Sequence, residues 1–156
     1  MRFEVNLRNI TEDDLLTFFH HQIDPDANKM AAFPPRSLDE FMNHWKINVL
    51  GNASSQNKAI VVNRKLAGYV TSWKQDEKRL LAYWIGKEHW GRGIATQSLF
   101  DFLSLLRERP VYALVAKHNI GSIRVLEKCG FNRVDQVSSE SLSESQRVEE
   151  SFMELP

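Results

Sequence analysis

Three β-rich runs follow one another between Lys58 and Ile85, and helical periodicity begins only at Ile94. Short polar turns separate these runs. Asn63-Arg64-Lys65 lies between "KAIVV" and "LAGYVTSW", and "KQDEKR" precedes "LLAYWI", Leu80 to Ile85. Turns this short make neighbouring strands pair antiparallel, as a meander. The helix from Ile94 reaches about Arg107, and Pro110 then opens another β-rich run, "PVYALVA". A strand, a helix and a second strand in succession read as a crossover. A chain that contains both patterns predicts one mixed sheet with helices laid on it.

The flanking segments extend this order. Phe3, Val5 and Leu7 alternate with polar neighbours as in a half-buried strand. Thr11 is placed to cap a helix over "LLTFFHHQI", and "DPDANKMAAFPPR" reads as the break that ends it. Ser37 caps "LDEFMNHWKINVL", which stops at Gly51, and "GNASSQN" is a polar loop. Beyond the crossover, Asn119 caps "IGSIRVLEKC" and Gly130 ends it. "FNRVDQV" and "RVEESFMEL" read as strands on either side of the polar, low-complexity "SSESLSESQ". The order is β-α-α-β-β-β-α-β-α-β-β. It predicts an α/β (α+β) fold in a single domain over residues 1–156. Its single mixed, mostly antiparallel central sheet has about seven strands flanked by about four helices.

Twenty basic residues balance twenty acidic ones, so net charge gives no reason to expect a nucleic acid as partner. The only cysteine, Cys129, has no disulfide partner, and the residue pattern suggests no metal site. The N-terminus lacks the apolar block of a secretory signal. No apolar run approaches the roughly 20 residues needed to cross a membrane. A cytoplasmic protein without a membrane partner is the expectation. Edge strands after the polar loop Ser138 to Gln146 offer a surface on which two copies could pair as a homodimer.

"WGRGIAT" stands between the third strand of the meander and its helix. The first amides of a helix have no internal partner, and the helix dipole favours negative charge there. Gly91 and Gly93 let the backbone come close to a ligand, and Arg92 offers a charge-assisted contact. The segment is therefore a candidate phosphate turn. It lacks the Gly-Lys-Ser/Thr ending of a nucleoside triphosphatase loop and the G-x-G-x-x-G of a dinucleotide fold. A helix whose glycines merely cap its start is the plain alternative.

The stretch "AYWIGKEHWGRGIATQSL", followed by "NIGSIRVLEKCGF", resembles the GCN5-related N-acetyltransferases. The Asp-Pro loop leading to "FPPRS" and the "KLAGYV" strand extend the likeness toward the branch of the ribosomal-protein alanine acetyltransferases. The resemblance implies an acetyl-CoA-dependent N-acetyltransferase. It would transfer acetyl directly to a primary amine, a small molecule or a protein N-terminus, in a ternary complex. Tyr83, Trp84 and Ile85 would run beside pantetheine, with the Ile85 amide directed at the thioester oxygen. Gly91, Arg92, Gly93, Ile94, Ala95 and Thr96 would hold the pyrophosphate. Asn119 and Ser122 would face pantetheine and the thiolate, with Ser122 as proton donor, and Arg124 would reach a CoA phosphate.

Two departures stand out. Trp90 replaces the Gln or Arg that often begins the turn, and Leu126 stands where a helix tyrosine often serves as proposed acid. No carboxylate occurs in "LLAYWI" to act as base. His20 and His21 end a helix near the implied acceptor site, but their place at a surface helix end is explanation enough, and His44, His89 and His118 have no stronger claim. No base is named. The missing groups leave a catalytically weak CoA-binding module as the alternative. Cys129 reads as a small buried hydrophobe, and Trp45, Trp73, Phe33 and Met30 as either core or acceptor pocket.

Overall fold

The computed structural model describes residues 4–134 and 150–156. Its strands are β1 (Val5–Arg8), β2 (Gln56–Val62), β3 (Lys65–Gln75), β4 (Lys78–Ile85), β5 (Val111–Ala116), β6 (Asn132–Val134) and β7 (Glu150–Leu155). The helices are α1 (Leu15–Gln22), α2 (Pro25–Ala31), α3 (Leu38–Asn43), α4 (Ile94–Leu105) and α5 (Ile120–Lys128). After α3 the chain widens into π-helical turns over His44–Val49, and the Leu50 amide donates to the Trp45 carbonyl at 2.7 Å. Phe3, the whole of the "SSESLSESQ" loop and the adjoining parts of the last two sequence-predicted strands lie outside the described residues.

All seven strands join one sheet in the order β1-β2-β3-β4-β5-β7-β6. The meander forms as the turn chemistry predicts. Asn63 and Arg64 both have positive φ (49° and 72°), as do Asp76 and Glu77 (52° and 67°). Two consecutive left-handed residues give the hairpin twist that antiparallel strands favour. Every neighbouring pair is antiparallel except β4 and β5, which are parallel and matched only at Arg79↔Val111 and Leu80↔Tyr112. Beyond those two positions the strands diverge. β7 pairs with β5 along Glu150–Leu155 and with β6 at Phe152, Met153 and Glu154, which leaves β6 at the edge of the sheet.

Each face of the sheet carries its own core. On one, Ile60, Val62, Leu81 and Ile85 pack against Leu99, Phe102 and Leu103 of α4 and Ile123 and Leu126 of α5. On the other, Ala59 and Tyr69 pack against Leu15 and Phe18 of α1, Phe41 of α3 and Trp45. Odd positions of β4 serve the first core and Trp84 adjoins the second, the alternation a strand requires.

One sequence expectation is extended: "DPDANKMAAFPPR" ends α1 as read but also contains α2, and the five helices keep to the fold expected. Asp24 caps α2, its carboxylate accepting the Ala27 amide at 2.8 Å, and Pro25 occupies the first turn, where its missing N–H costs nothing.

Near the start of the chain Arg8 donates to both oxygens of the buried Asp14 carboxylate at 2.8 Å, and the Thr11 amide adds a third bond at 2.8 Å. The Arg8 guanidinium holds Asp14 below the usual carboxylate range. A carboxylate with a lowered folded pKa stabilises fully above its unfolded value and loses that contribution as pH falls through the folded one. Asp14→Asn is therefore expected to lower the urea midpoint at pH 7. The gap from the parent chain should narrow as pH falls below about 4. Urea titrations across that range check it, and a gap independent of pH would refute the assignment.

Candidate active site

A cavity of about 500 Å³ occupies the divergence between β4 and β5, a volume in the range of small-molecule sites. Its walls are the end of β4, the turn after it, and the starts of α4 and α5, with α2 closing the opposite side. The Gly86 amide donates to the Ala67 carbonyl at 2.8 Å, so the sheet bonds of β4 with β3 fall on even-numbered residues. The peptide groups of Tyr83 and Ile85 therefore face the gap toward β5. One of them is used locally: the Trp90 indole donates to the Ile85 carbonyl at 2.9 Å and ties the turn to the strand.

Gly91 and Gly93 both have φ +77°, a region L-residues rarely adopt, and a Cβ on either would meet no protein atom within 4 Å. The helical ladder of α4 begins with Gln97 N donating to Gly93 O at 3.1 Å. The amides of Ile94, Ala95 and Thr96 thus have no acceptor within the helix, and the positive end of its dipole lies at the cavity. Arg124 and Lys128, one turn apart on α5, line the same cavity. Open glycine backbone, unclaimed amides and two cations together fit a phosphate-bearing ligand.

At the start of α5, Asn119 accepts the Ser122 amide through its side chain at 3.2 Å, the cap read from sequence. The Ser122 hydroxyl lies 2.7 Å from the Tyr83 hydroxyl, and burial pushes the Tyr83 phenol up to about 12. Cys129 donates to the Thr96 carbonyl across 3.7 Å, and burial raises its thiol, which opposes thiolate formation.

The cavity collects nearly every residue singled out from sequence. Tyr83, Trp84, Ile85, Gly91, Gly93 and Ile94 line it, as do Ala95, Thr96, Asn119, Ser122 and Arg124. Arg92 is the exception: with positive-φ glycines on both sides, it lies exposed on the turn and outside the cavity lining. Met30 also lines the cavity, and Phe33 packs edge-on against Trp84 with ring centroids 6.0 Å apart. Trp45 is core, and Trp73 bonds Gln75 instead.

Of the histidines, only His89 reaches the cavity, and burial lowers its pKa. His21 packs onto Gly86, where its ring would be 2.7 Å from an added Cβ. Lys128, four residues on from Arg124 and read from that spacing as part of a solvated face, lines the cavity too, and sequence reading missed Gly121 and Val125 beside Ser122. It also missed Ala27 and Ala31 of α2, for which the Asp24-Pro25 start was the available signal. No Asp or Glu is among the lining residues.

Compared with known protein families, residues 4–132 match the acetyltransferase (GNAT) domain. The chain belongs to the GNAT acetyltransferase family. Solved structures similar to this GNAT chain include the aminoglycoside acetyltransferase AAC(6')-Ib in complex with coenzyme A. That match has 19% identity and TM-score 0.78, over 97% of this chain and 94% of that one. Spermidine N-acetyltransferase from Vibrio cholerae, in complex with CoA and spermine, is 19% identical with TM-score 0.78, over 96% and 94% of the two chains. A GNAT-family acetyltransferase from Bacillus anthracis is 15% identical with TM-score 0.76, over 98% and 95%. At such identities these likenesses speak to the fold. A search of curated protein sequences found no match. No helix among the described residues is long and apolar enough to cross a membrane.

Proposed function

We propose that this GNAT protein is an acetyl-CoA-dependent N-acetyltransferase acting by direct transfer to a primary amine in a ternary complex. The amine belongs to a small molecule or a protein N-terminus. The observation that carries the reading is the cavity itself, where glycine turn, helix start, diverging strand and Asn119/Ser122 meet. Acetyl-CoA supplies its acetyl group as a thioester, already activated for attack.

The amides of Ile94, Ala95 and Thr96, with Gly91, Gly93 and Arg124, hold its phosphates. Arg92, exposed beside them, adds long-range attraction for the anion. Tyr83, Trp84 and Ile85 guide the pantetheine arm along β4, and the Ile85 N–H, directed into the gap, stabilises charge developing on the thioester oxygen. Asn119 fixes the first turn of α5 and so the place of Ser122, which donates its hydroxyl proton to the departing sulfur. The acceptor's proton leaves through water, with no side chain assigned as base.

Calorimetric titration with acetyl-CoA, beside dephospho-CoA, tests the site. Micromolar binding that weakens for dephospho-CoA is expected, because the cations then lose a phosphate. Thiol release with a panel of amines then separates an enzyme from a CoA-binding module. No binding at all would refute the site, and binding without turnover would favour the module.

A further inference from the structure

The helix position at which family members often carry an acidic phenol holds Leu126, whose side chain is buried in the core beneath α5. The fold nevertheless brings a phenol to the cavity by a different element. Tyr83 Oη, from β4, lies 2.7 Å from Ser122 Oγ, and both residues line the cavity. Two hydroxyls in contact share one hydrogen bond, which leaves one of their two protons free to point elsewhere. The Ser122 backbone is held by Asn119, and the Tyr83 ring is packed against the main core, so neither partner is loose.

We propose that Tyr83 is a positioning residue acting through Ser122: its hydroxyl donates to Ser122 Oγ, turns the serine proton toward the cavity and replaces that proton once it is given up. The proposal rests on the acetyl-transfer reading above. In the balanced step the acceptor nitrogen forms the new C–N bond, and the C–S bond breaks with its electron pair on sulfur. Ser122 Oγ gives its proton to that sulfur and takes the proton of Tyr83 Oη. The proton lost by the acceptor nitrogen returns to Tyr83 through water. One proton moves from nitrogen to sulfur overall, and both side chains end as they began. The charge left behind in transit rests on a phenol oxygen, a far weaker base than a serine alkoxide. A phenol is already protonated at neutral pH, and burial pushes Tyr83 further up, to about 12, so the store is full when needed.

The test uses the full chain with acetyl-CoA as donor and thiol release as readout, with the fastest amine of the panel or water as acceptor. Tyr83→Phe is expected to keep acetyl-CoA affinity within about twofold by calorimetry while kcat falls about 10- to 100-fold. The double variant with Ser122→Ala should be no slower than Ser122→Ala alone, since residues acting as a unit do not multiply their losses. Placing 3-fluorotyrosine, a more acidic phenol, at position 83 should preserve turnover and move the alkaline limb of kcat to lower pH. Tyr83→Phe should abolish that limb. Full activity in Tyr83→Phe, multiplicative losses or an unmoved limb would overturn the relay while leaving the enzyme reading intact. A parent chain that binds no acetyl-CoA would overturn the enzyme reading and the relay together.

Discussion

Replacing Gly93 by valine is expected to weaken acetyl-CoA binding by about 100-fold while leaving the sheet intact, because two independent costs fall on one position. Its φ of +77° is costly for any L-residue, by about 1–2 kcal/mol, and more for a β-branched one. If the turn relaxes to relieve that strain, the amides at the start of α4 rotate away from the cavity. If it holds, a new side chain enters the space where phosphate oxygens must come close, because no protein atom lies within 4 Å to occupy it. Either response weakens binding, and the expected two decades correspond to about 2.8 kcal/mol at 1.4 kcal/mol per decade. Alanine should lose about tenfold by the same arithmetic, having the smaller strain and bulk. Calorimetry with acetyl-CoA, beside circular dichroism and thermal unfolding, measures both parts. Undiminished affinity in a folded Gly93→Val protein would mean that the turn only caps a helix.

Leu126→Tyr is expected to lower stability by about 2–6 kcal/mol and to leave turnover no higher. Leu126 is 2% exposed and surrounded by the α4, α5 and sheet side chains of the main core. A ring forced into that space overpacks it, at about 1–3 kcal/mol, and its hydroxyl loses water without gaining a partner, at about 1–3 more. Helical geometry explains how close the position comes to the cavity without entering it. Ser122 and Leu126 are four residues apart, so they differ by only about 40° around the axis. The boundary between cavity and core runs between them. Urea unfolding reads the loss. A rise in kcat at unchanged stability would show that α5 can roll to present the new phenol.

The parts of the fold legible in the sequence were those fixed by local chemistry. Asn63-Arg64-Lys65 announced a tight hairpin because so short a polar turn between two β-rich runs leaves the strands no choice but to pair, and Asn63 is a residue that accepts positive φ. Gly91 and Gly93 announced an unusual backbone beside a helix start, and both adopt it. The break read over "DPDANKMAAFPPR" also holds a helix, because a proline directly after an Asp cap starts one. What one sequence could not display was contact over distance. Tyr83 and Ser122 are 39 residues apart and belong to a strand and a helix brought together only by the crossover. Nor did residue spacing reveal that α2 would be drawn over the cavity. Lys87 pairs with Asp26 from the β4 side, while His118 Nε2 donates to the Lys29 carbonyl at 2.9 Å from the β5 side.

These two anchors matter because of how β4 and β5 part. The pair is stitched only as far as Leu80, so everything beyond it swings as two arms of a wedge. Tyr83 rides on one arm, three residues or about 10 Å from the last stitch at strand rise. Ser122 rides on the helix that follows the other arm. An opening of about 5° at the vertex would displace the tip by about 0.9 Å over that lever, enough to stretch a 2.7 Å hydrogen bond past any useful length. The hydroxyl contact is thus sensitive to the wedge angle, and α2 spans the two arms through its contacts with Lys87 and His118.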